Sequence, residues 1–407
     1  MLRAGALLYA VFISGITTIL SAAIILLYFY SEQYSLELSN QNKLVDNVNS
    51  AIQLGITKPY GEYVIDLYGE EKDSVIINKR SWGVFDLVVA KSFWKNSEYT
   101  KAALIGEYID NEPTLLLNDN NKSLYVCGNT YVSGDVLLPK SGVKRAYIEG
   151  KSYASESLIY GKVSQSEKFL PPFDADKIKE LKQQVISAWE DERTIDINDV
   201  KDTLSNSFIK QSILIFDDEE IVIENIKISG NIVVQSSSAI VIGASCFLEN
   251  VILIAPKVSF ESGFKGVVQV IASDTVLLSD SVVLNYPSSI CLLGDATFPF
   301  VQLNPYSLIK GIVFVDNKHL TRGYSPNISI EKKAEIYGQV YCNGAVELKG
   351  NIKGSSYVDR FVLKTTSSYY ENHLLDVSIT RDGFSPSFLG IDIFSNKNKK
   401  GIIVCLD

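Results

Sequence analysis

Two stretches of this sequence, LYVCGNTYVSG at 124–134 and GQVYCNGAVELKGNI at 338–352, decide its fold. In both, glycines recur every six residues, and aliphatic residues recur with the same step. Glycine has no Cβ and can turn a tight corner between two short strands, while the aliphatic residue points into a core. The pattern therefore predicts a coil of short strands. The residues that carry it are Gly128, Gly134, Val126, Val132, Gly338, Gly344, Gly350, Val340, Val346 and Ile352.

A longer period lies between these two stretches. Three series of strand starts share an offset of about 25 residues, namely Ile226, Val251 and Val276; Ile232, Val258 and Val282; and Ile240, Val267 and Ile290. Three series in step predict stacked three-sided rungs, a parallel β-solenoid in which Val251, Val258, Val276 and Val282 point inward. A β-sandwich is the alternative, but its strands recur every 8–12 residues or so without a common register.

The rest of the chain divides around this coil. Apolar residues at three- and four-residue steps between Asp174 and Trp189 predict an inserted amphipathic helix that Asp174 caps. β-branched and aromatic runs predict neck strands at 75–77, 82–89 and 102–105, and closing strands at 358–375 and 401–404. The fold class is mainly β, with this order of segments: 1–55 transmembrane and amphipathic helix, 56–120 β-rich neck, 121–165 first solenoid rungs, 166–212 helical insertion, 213–358 main solenoid and 359–407 closing strands.

The N-terminal segment is long enough to cross a membrane. Residues 4–30 carry no charge, and a spanning helix needs roughly 20 apolar residues. A cleavable secretory peptide is the alternative, but its apolar core usually has about 7–15 residues. Arg3 precedes the span, while Glu32 and Glu37 follow it, so the positive-inside rule predicts a single pass with the bulk of the chain outside the cytoplasm. We expect the inner membrane of a bacterium.

The helix is expected to continue beyond the membrane. Tyr34, Leu38, Val45, Val48 and Ile52 recur at steps of four, seven, three and four, which places them on one helical face. This apolar stripe predicts docking onto the exported domain, with Gly55 as the helix terminator. An ordinary linker helix is the alternative interpretation.

Composition excludes some functions. The net charge is −9 and the sequence pI is about 5.0, whereas nucleic-acid binding needs a clustered basic face. The cluster Lys397, Lys399 and Lys400 is typical of a solvated turn. Five cysteines are scattered without a CxxC pair, which predicts neither a metal site nor a disulfide framework but small core residues. They are Cys127, Cys246, Cys291, Cys342 and Cys405.

The acidic and basic residues of the coil are the candidates for catalysis. The run 217–220, DDEE, is typical of a solvated turn, because adjacent side chains in a strand point apart. The loop from Asp316 to Arg322, which contains His319, has the densest mix of acid, base and cation, and His373 shows no partner in sequence. No nucleophile elbow or phosphate-binding loop occurs. We therefore expect no enzyme, no catalytic residue, no metal and no cofactor.

Two resemblances add to these interpretations. The residues RAGALL at 3–8, followed by a long apolar helix, resemble the start of minor pilins and of tip-type pseudopilins of type II secretion. The resemblance implies cleavage by a prepilin peptidase after Gly5. Most pilins carry a glutamate five residues into the mature chain. This sequence has Ala10 at that position, and tip-type pseudopilins also lack the glutamate. The six-residue glycine steps resemble bactofilins, polymer-forming proteins built on a β-helix.

The sequence leaves two functions open. The first is a membrane-anchored structural component of the cell envelope, a subunit of a type IV pilus-like or type II secretion-like assembly with other envelope proteins as partners. The second is a membrane-anchored β-helix that binds or acts on carbohydrate, with surface polysaccharide as its partner, because β-helices also host polysaccharide lyases and hydrolases.

Overall fold

The computed structural model describes residues 4–69, 74–95, 97–109, 112–171, 178–179, 181, 193–294, 296–316, 325–391 and 399–406. Within them the protein is mainly β, with one long apolar N-terminal helix and a closed sheet of mostly parallel strands. The chain divides into two compact units. The first contains Met1–Lys79 and Val88–Lys101, and the second contains Arg80–Leu87 and Ala102–Asp407.

The first unit consists of a helix and an antiparallel sheet. Helix α1 spans Ala4–Thr57 without a proline, and Pro59 follows at its end, where a proline disfavours helical backbone in the residue before it. The strands that follow are β1 (Gly61–Asp66), β2 (Ser74–Trp82), β3 (Phe85–Trp94) and β4 (Ser97–Tyr108), of which the last three continue into the second unit. β1 pairs with β2 antiparallel, and the predicted neck strands are confirmed except that a turn at Gly83 divides 82–89.

The second unit holds the remaining strands and a short 3-10 helix at Ile197–Asp199. The strands are β5 (Leu115–Leu117), β6 (Leu124–Cys127), β7 (Tyr131–Ser133), β8 (Val136–Leu138), β9 (Val143–Arg145), β10 (Tyr147–Ile148), β11 (Lys151–Ser152), β12 (Val163–Gln165), β13 (Arg193–Ile195), β14 (Thr203–Asn206), β15 (Ile213–Asp217), β16 (Ile221–Ile223), β17 (Lys227–Ser236), β18 (Ala239–Ile242), β19 (Phe247–Phe260), β20 (Lys265–Leu278), β21 (Val283–Leu292), β22 (Phe300–Leu303), β23 (Leu308–Val315), β24 (Ile328–Ile330), β25 (Glu335–Leu348), β26 (Asn351–Lys364), β27 (Tyr369–Glu371), β28 (His373–Leu375), β29 (Ser378–Thr380), β30 (Leu389–Gly390) and β31 (Lys400–Leu406).

Parallel pairing runs along three ladders. The first ladder joins β13, β15, β17, β19, β20, β21, β23, β25, β26, β5, β8 and β12. The second joins β14, β17, β19, β20, β21, β23, β25, β26, β29 and β7. The third joins β16, β18, β19, β20, β22, β24, β25 and β26. The long strands β19, β20, β25 and β26 bend and take part in all three.

The core valines are confirmed, but the predicted register is wrong. Val251, Val258, Val276 and Val282 are all buried. However, Val258 pairs with Val276, 18 residues on, and not with Val282. Three sides of six residues each give about 18 residues per turn, and six residues is the step at which the glycines of the sequence pattern recur. Offsets near 25 arise where a loop lengthens the turn, as between Val276 and Val301.

The order of stacking differs from the order of the chain. β26 pairs with β5, so the strands of 115–165 stack beyond the last turn of the main coil and not before its first turn. The closing strands β30 and β31 pair antiparallel with β4. The inserted helix predicted at 174–189 lies outside the described residues, apart from Ile178, Lys179 and Leu181, which are helical.

A column of close contacts explains the glycines at one corner. Gly311, Gly338 and Gly354 are register partners in β23, β25 and β26. A Cβ at Gly338 would lie 1.8 Å from the carbonyl oxygen of Gly311, and a Cβ at Gly354 would lie 1.9 Å from that of Gly338. Their φ angles of +151° and +142° are also unfavourable for other residues. Only glycine lets these turns stack.

The first ladder is buried on both sides. Val251 and Leu253 face the core, while Ile252 and Ile254 point away from it and are equally buried. Other segments of the second unit cover that outer side, and their contacts include a hydrogen bond from Val84 N to Gln269 Oε1 at 2.9 Å. Tyr286 donates its hydroxyl to Leu389 O at 3.2 Å. The covering explains why the strands of this ladder are apolar at consecutive positions.

Candidate functional site

The first half of α1 is a helical segment whose apolar side chains are exposed. Its large apolar side chains between Leu7 and Tyr30 are 43–73% exposed. The most apolar window of 18 residues has a mean hydropathy of 2.4 and none of it is buried. By length and composition this helix can cross a membrane.

The second half of α1 packs on its own sheet. Leu44, Val48, Ala51, Ile52 and Ile56 are buried. Lys79 also contributes, because its buried ammonium donates to Ile56 O at 2.8 Å. A cation at a helix C-terminus satisfies a free carbonyl and opposes the helix dipole. The docked half of the helix is therefore fixed by both apolar and polar contacts.

The predicted apolar stripe is confirmed only in part. Val48 and Ile52 are buried as expected, but Tyr34 and Leu38 remain 70% and 47% exposed because they precede the docked half. The prediction that Gly55 ends the helix is wrong, since α1 continues to Thr57. A Cβ at Gly55 would lie 2.7 Å from Val88 Cγ1, so this glycine permits close packing of helix and sheet.

The residues around the predicted cleavage site lie in the exposed half. Gly5 is helical, and a Cβ built on it meets no atom within 4 Å. Ala6, Ala10 and Ser14 follow at four-residue steps and share one exposed face. Ser14 Oγ donates to Val11 O at 2.9 Å and Thr18 Oγ1 donates to Ser14 O at 2.7 Å. Because these hydroxyls are satisfied within the helix, they suit an apolar environment. Cleavage after Gly5 stays a prediction.

The acidic run at 217–220 forms a turn between β15 and β16. Asp217 Oδ1 accepts the backbone N–H of Glu219 at 2.9 Å, and Ser237 donates to Asp218 Oδ1 at 3.0 Å. Asp218, Glu219 and Glu220 are exposed. These contacts are those of a solvated turn, and no pair of these carboxylates points into a common cavity in this described segment.

Of the candidate loop from Asp316 to Arg322, the structure describes Asp316 alone. Asp316 accepts the Asn343 amide at 3.0 Å, whereas His319 and Arg322 lie outside the described residues. Contrary to the sequence expectation, His373 has partners: its ring stacks on Tyr125 at 4.4 Å, and Nδ1 lies 2.6 Å from Glu371 O. Burial lowers the pKa of His373, so it is a neutral packing residue.

The cysteines and the lysine cluster need separate accounts. Cys127, Cys246, Cys291 and Cys342 are buried, but Cys405 is exposed and differs from the expected core residue.

Lys400 Nζ lies 3.1 Å from Asp86 Oδ2, while Lys397 lies outside the described residues. Across the described ranges, no group of three or more His, Cys, Asp or Glu residues is arranged to hold a metal ion.

Sequence reasoning missed a buried carboxyl. Glu112 Oε1 accepts Gln339 Nε2 at 2.7 Å, and Arg381 donates to the backbone carbonyls of Glu112 and Ile109. Burial raises the pKa of Glu112 to about 7, against the lowering effect of Gln339, Ser355, Tyr357 and the Arg381 charge. No local pattern announces this cluster, because its members come from distant parts of the chain.

Comparison with known proteins adds little. No protein-family model matches the chain, and no curated protein matches its sequence. Among solved structures, the chain is similar to the competence-associated pilin ComZ from Thermus thermophilus, with 9% identity over 86% of this chain and 87% of that one. The TM-score is 0.22, which is too low to carry an argument about fold or function. The protein's class is therefore defined by its own architecture, an apolar N-terminal helix joined to a closed parallel sheet.

Proposed function

We propose that this protein is a membrane-anchored structural subunit of the cell envelope, of the minor-pilin or tip-type pseudopilin kind, in a pilus-like or type II secretion-like assembly. One observation carries the proposal. The two halves of α1 have different environments, the first fully exposed and apolar, the second packed on its own sheet. An exposed apolar surface of this size must be covered by lipid or by other chains.

The membrane covers the first part. Residues 4–30 span the inner membrane of a bacterium once, with Arg3 on the cytoplasmic side and Glu32 and Glu37 on the other. This orientation places the bulk of the chain outside the cytoplasm. The docked half of α1 then holds the sheet at a fixed distance from the lipid.

A helix that served only as a membrane anchor would need fewer residues than α1 has. At 1.5 Å per residue, the 54 residues of α1 measure about 80 Å, whereas the hydrocarbon core of a bilayer is about 30 Å thick. Residues 31–43 lie between the apolar span and the docked half, and a single uncovered helix is marginally stable in water. Tyr34 and Leu38 are exposed there and provide apolar contacts for neighbouring helices.

Processing belongs to the same proposal. A prepilin peptidase cuts after Gly5, and the mature chain begins at Ala6. The small residues Ala6, Ala10 and Ser14 then form a face on which another helix can approach closely, which is how helices associate in lipid. Ala10 in place of a glutamate suits a subunit that starts or tips a filament, since that charge pairs with the next subunit in other pilins.

We also propose that the closed sheet is a three-sided β-solenoid of the bactofilin-like kind and that it has no enzymatic activity. The three parallel ladders and the glycine column at one corner support the solenoid. The solvated turn at 217–220 supports a structural role, because glycosidic chemistry needs two carboxylates that face one substrate.

Co-purification tests the proposal. We would replace residues 7–30 of the full-length protein with an unrelated transmembrane helix of the same length and compare the envelope proteins recovered with it from membranes. Loss of partners from a protein that still reaches the membrane supports an assembly helix, whereas retention of all partners reduces it to a tether. The double variant Tyr34→Ala, Leu38→Ala should also lose partners. Leu54→Ala is its matched control, because Leu54 is 40% exposed but lies in the docked half.

A further inference from the structure

A largely buried pair of a lysine and an aspartate joins two distant strands of the second unit. Lys400 in β31 donates from Nζ to Asp86 Oδ2 in β3 at 3.1 Å, and the two residues are 314 positions apart in the chain. The Asp86 side chain is 6% exposed and the Lys400 side chain 29%. By contrast, the surface pair of Lys91 and Glu98 has side chains that are 38% and 64% exposed. The pair of Asp86 and Lys400 therefore lies in surroundings of lower polarity.

A second carboxyl group belongs to the same cluster. Glu107 in β4 is the register partner of Lys400 and is buried. Directly opposed residues of antiparallel strands point to the same face of a sheet, with their Cβ atoms about 4.5–5.5 Å apart. Because β4 lies between β3 and β31 in the sheet, the Lys400 side chain must cross β4 beside Glu107 to reach Asp86. One amine and two carboxyl groups therefore meet on one face of this sheet.

The surroundings of the pair are apolar and leave a small space beside it. Burial favours the neutral forms of an amine and of a carboxylic acid, because a charge loses its hydration there. The Lys400 ammonium can therefore pass a proton to the Asp86 carboxylate, and a neutral amine is a nucleophile. The residues that line the small cavity next to the pair are Val84, Phe85, Ile105, Gly106, Gly390 and Ile391.

We propose that Lys400 and Asp86 form an intramolecular amide bond, with Glu107 as the proton carrier. The Nζ lone pair attacks Cγ of the protonated Asp86 carboxyl group, and the carbonyl electron pair moves to oxygen. Glu107 takes a proton from the nitrogen and gives one to a hydroxyl group, which leaves as water when the C=O bond forms again. One N–C bond forms, one C–O bond breaks and one water is released, so the step needs no oxidant, reductant or further reactant.

A covalent bond accounts for the burial of this pair better than an ion pair does. Burial of two charges costs hydration energy that their mutual attraction often fails to repay, whereas an amide carries no net charge. The bond also fastens β31, which pairs with β4 alone among the described strands. It links positions that are 314 residues apart, and closing a loop lowers the entropy of the unfolded chain. This cross-link goes beyond the role proposed for α1 and does not depend on it.

Mass spectrometry of the full-length protein, purified in detergent, tests the bond. The intact chain should weigh one water molecule less than its sequence predicts, whatever its first residue. After denaturation and digestion with trypsin, residues 81–91 should be joined to residues 400–407. The pair of Lys91 and Glu98 is an internal control, because its atoms lie closer, at 2.6 Å, but are exposed and should not be joined. A wild-type chain of full mass that gives separate peptides overturns the proposal and leaves an ion pair only.

Three variants and a matched control identify the groups involved. Lys400→Arg keeps the positive charge, but its guanidinium is not a nucleophile. The variant should keep the full mass, migrate more slowly in a denaturing gel and melt at a lower temperature than the wild type, whereas an ion pair alone would leave all three unchanged. Asp86→Ala should likewise keep the full mass of its own sequence.

The third variant tests the proton carrier. Glu107→Gln preserves the shape of the side chain and should leave most chains unlinked, with a circular dichroism spectrum like that of the wild type. Lys91→Arg is the matched control and should retain the loss of one water molecule, because it alters only the exposed pair. A cross-link that forms in Glu107→Gln to the wild-type extent overturns the role of Glu107, and a cross-link that persists in Lys400→Arg overturns the assignment of the amine.

Discussion

Replacement of Gly338 by alanine probes the corner on which the closed sheet depends. The new Cβ would lie 1.8 Å from Gly311 O, whereas real Cβ atoms stay at least 3.0 Å from such atoms. The two strands must therefore separate locally by about 1.2 Å or more, which breaks the hydrogen bonds between them. Gly354 stacks directly on Gly338, so the strain is not relieved on the other side.

The expected loss of stability is large. Two buried hydrogen bonds that are broken without new partners cost about 1–3 kcal/mol each, and the φ of +151° adds about 1–3 kcal/mol of backbone strain for a residue with a Cβ. We expect Gly338→Ala to lower the free energy of unfolding by about 4 kcal/mol or more. Gly263→Ala is the control, because Gly263 has a φ of +86° but no atom within 4 Å of the new Cβ. It should cost only about 1 kcal/mol.

Circular dichroism of both full-length variants in detergent, followed through urea and thermal unfolding, measures the difference. The loss for Gly338→Ala should exceed that for Gly263→Ala about fourfold. Equal losses in the two variants would refute the stacked glycine corner, because backbone conformation alone would then explain both.

Three further predictions concern the core, a titrating group and the topology. Val276→Ala should cost about 2 kcal/mol in urea unfolding, whereas its neighbour Leu277→Ala, 41% exposed, should stay within about 0.5 kcal/mol; equal costs would contradict the register. The native pKa of Glu112, about 7, exceeds its ordinary value of 4.5, so the native state keeps a proton that the unfolded state releases, and stability should fall as pH rises from 4.5 to 7. Glu112→Gln should remove this dependence, worth about 3 kcal/mol at most, and a wild-type profile flat over that range would exclude the buried carboxyl. Protease added to intact spheroplasts should digest residues beyond about 35; complete protection would reverse the orientation.

The inward valines were predictable from the sequence, but their register was not. Val258 and Val276 recur in short aliphatic runs, which indicate a core position whatever their partner. Loops of unequal length between strands give several apparent periods, and only the six-residue glycine step points to the shorter turn. The continuous apolar runs VILIA at 251–255 and IVFV at 312–315 were a signal of burial on both sides that alternation alone does not explain.

The same contrast between local pattern and long-range strand pairing separates the functional residues that the sequence predicted from those that it did not. Val48 and Ile52 were predicted to dock because helical periodicity is local, but the point where docking begins depends on where the sheet ends. The Glu112 cluster depends on the pairing of β26 with β5, and its partner Arg381 directly follows β29, which pairs with β7. These pairs join segments more than 200 residues apart, and no pattern in a single sequence specifies them.

The most direct measurement of the central claim is the N-terminal residue of the native protein, determined by mass spectrometry of protein isolated from its own membranes. The assembly role of α1 predicts a mature chain that begins at Ala6, produced by cleavage after Gly5. A native chain that still begins at Met1 would contradict it and would leave α1 as a membrane anchor.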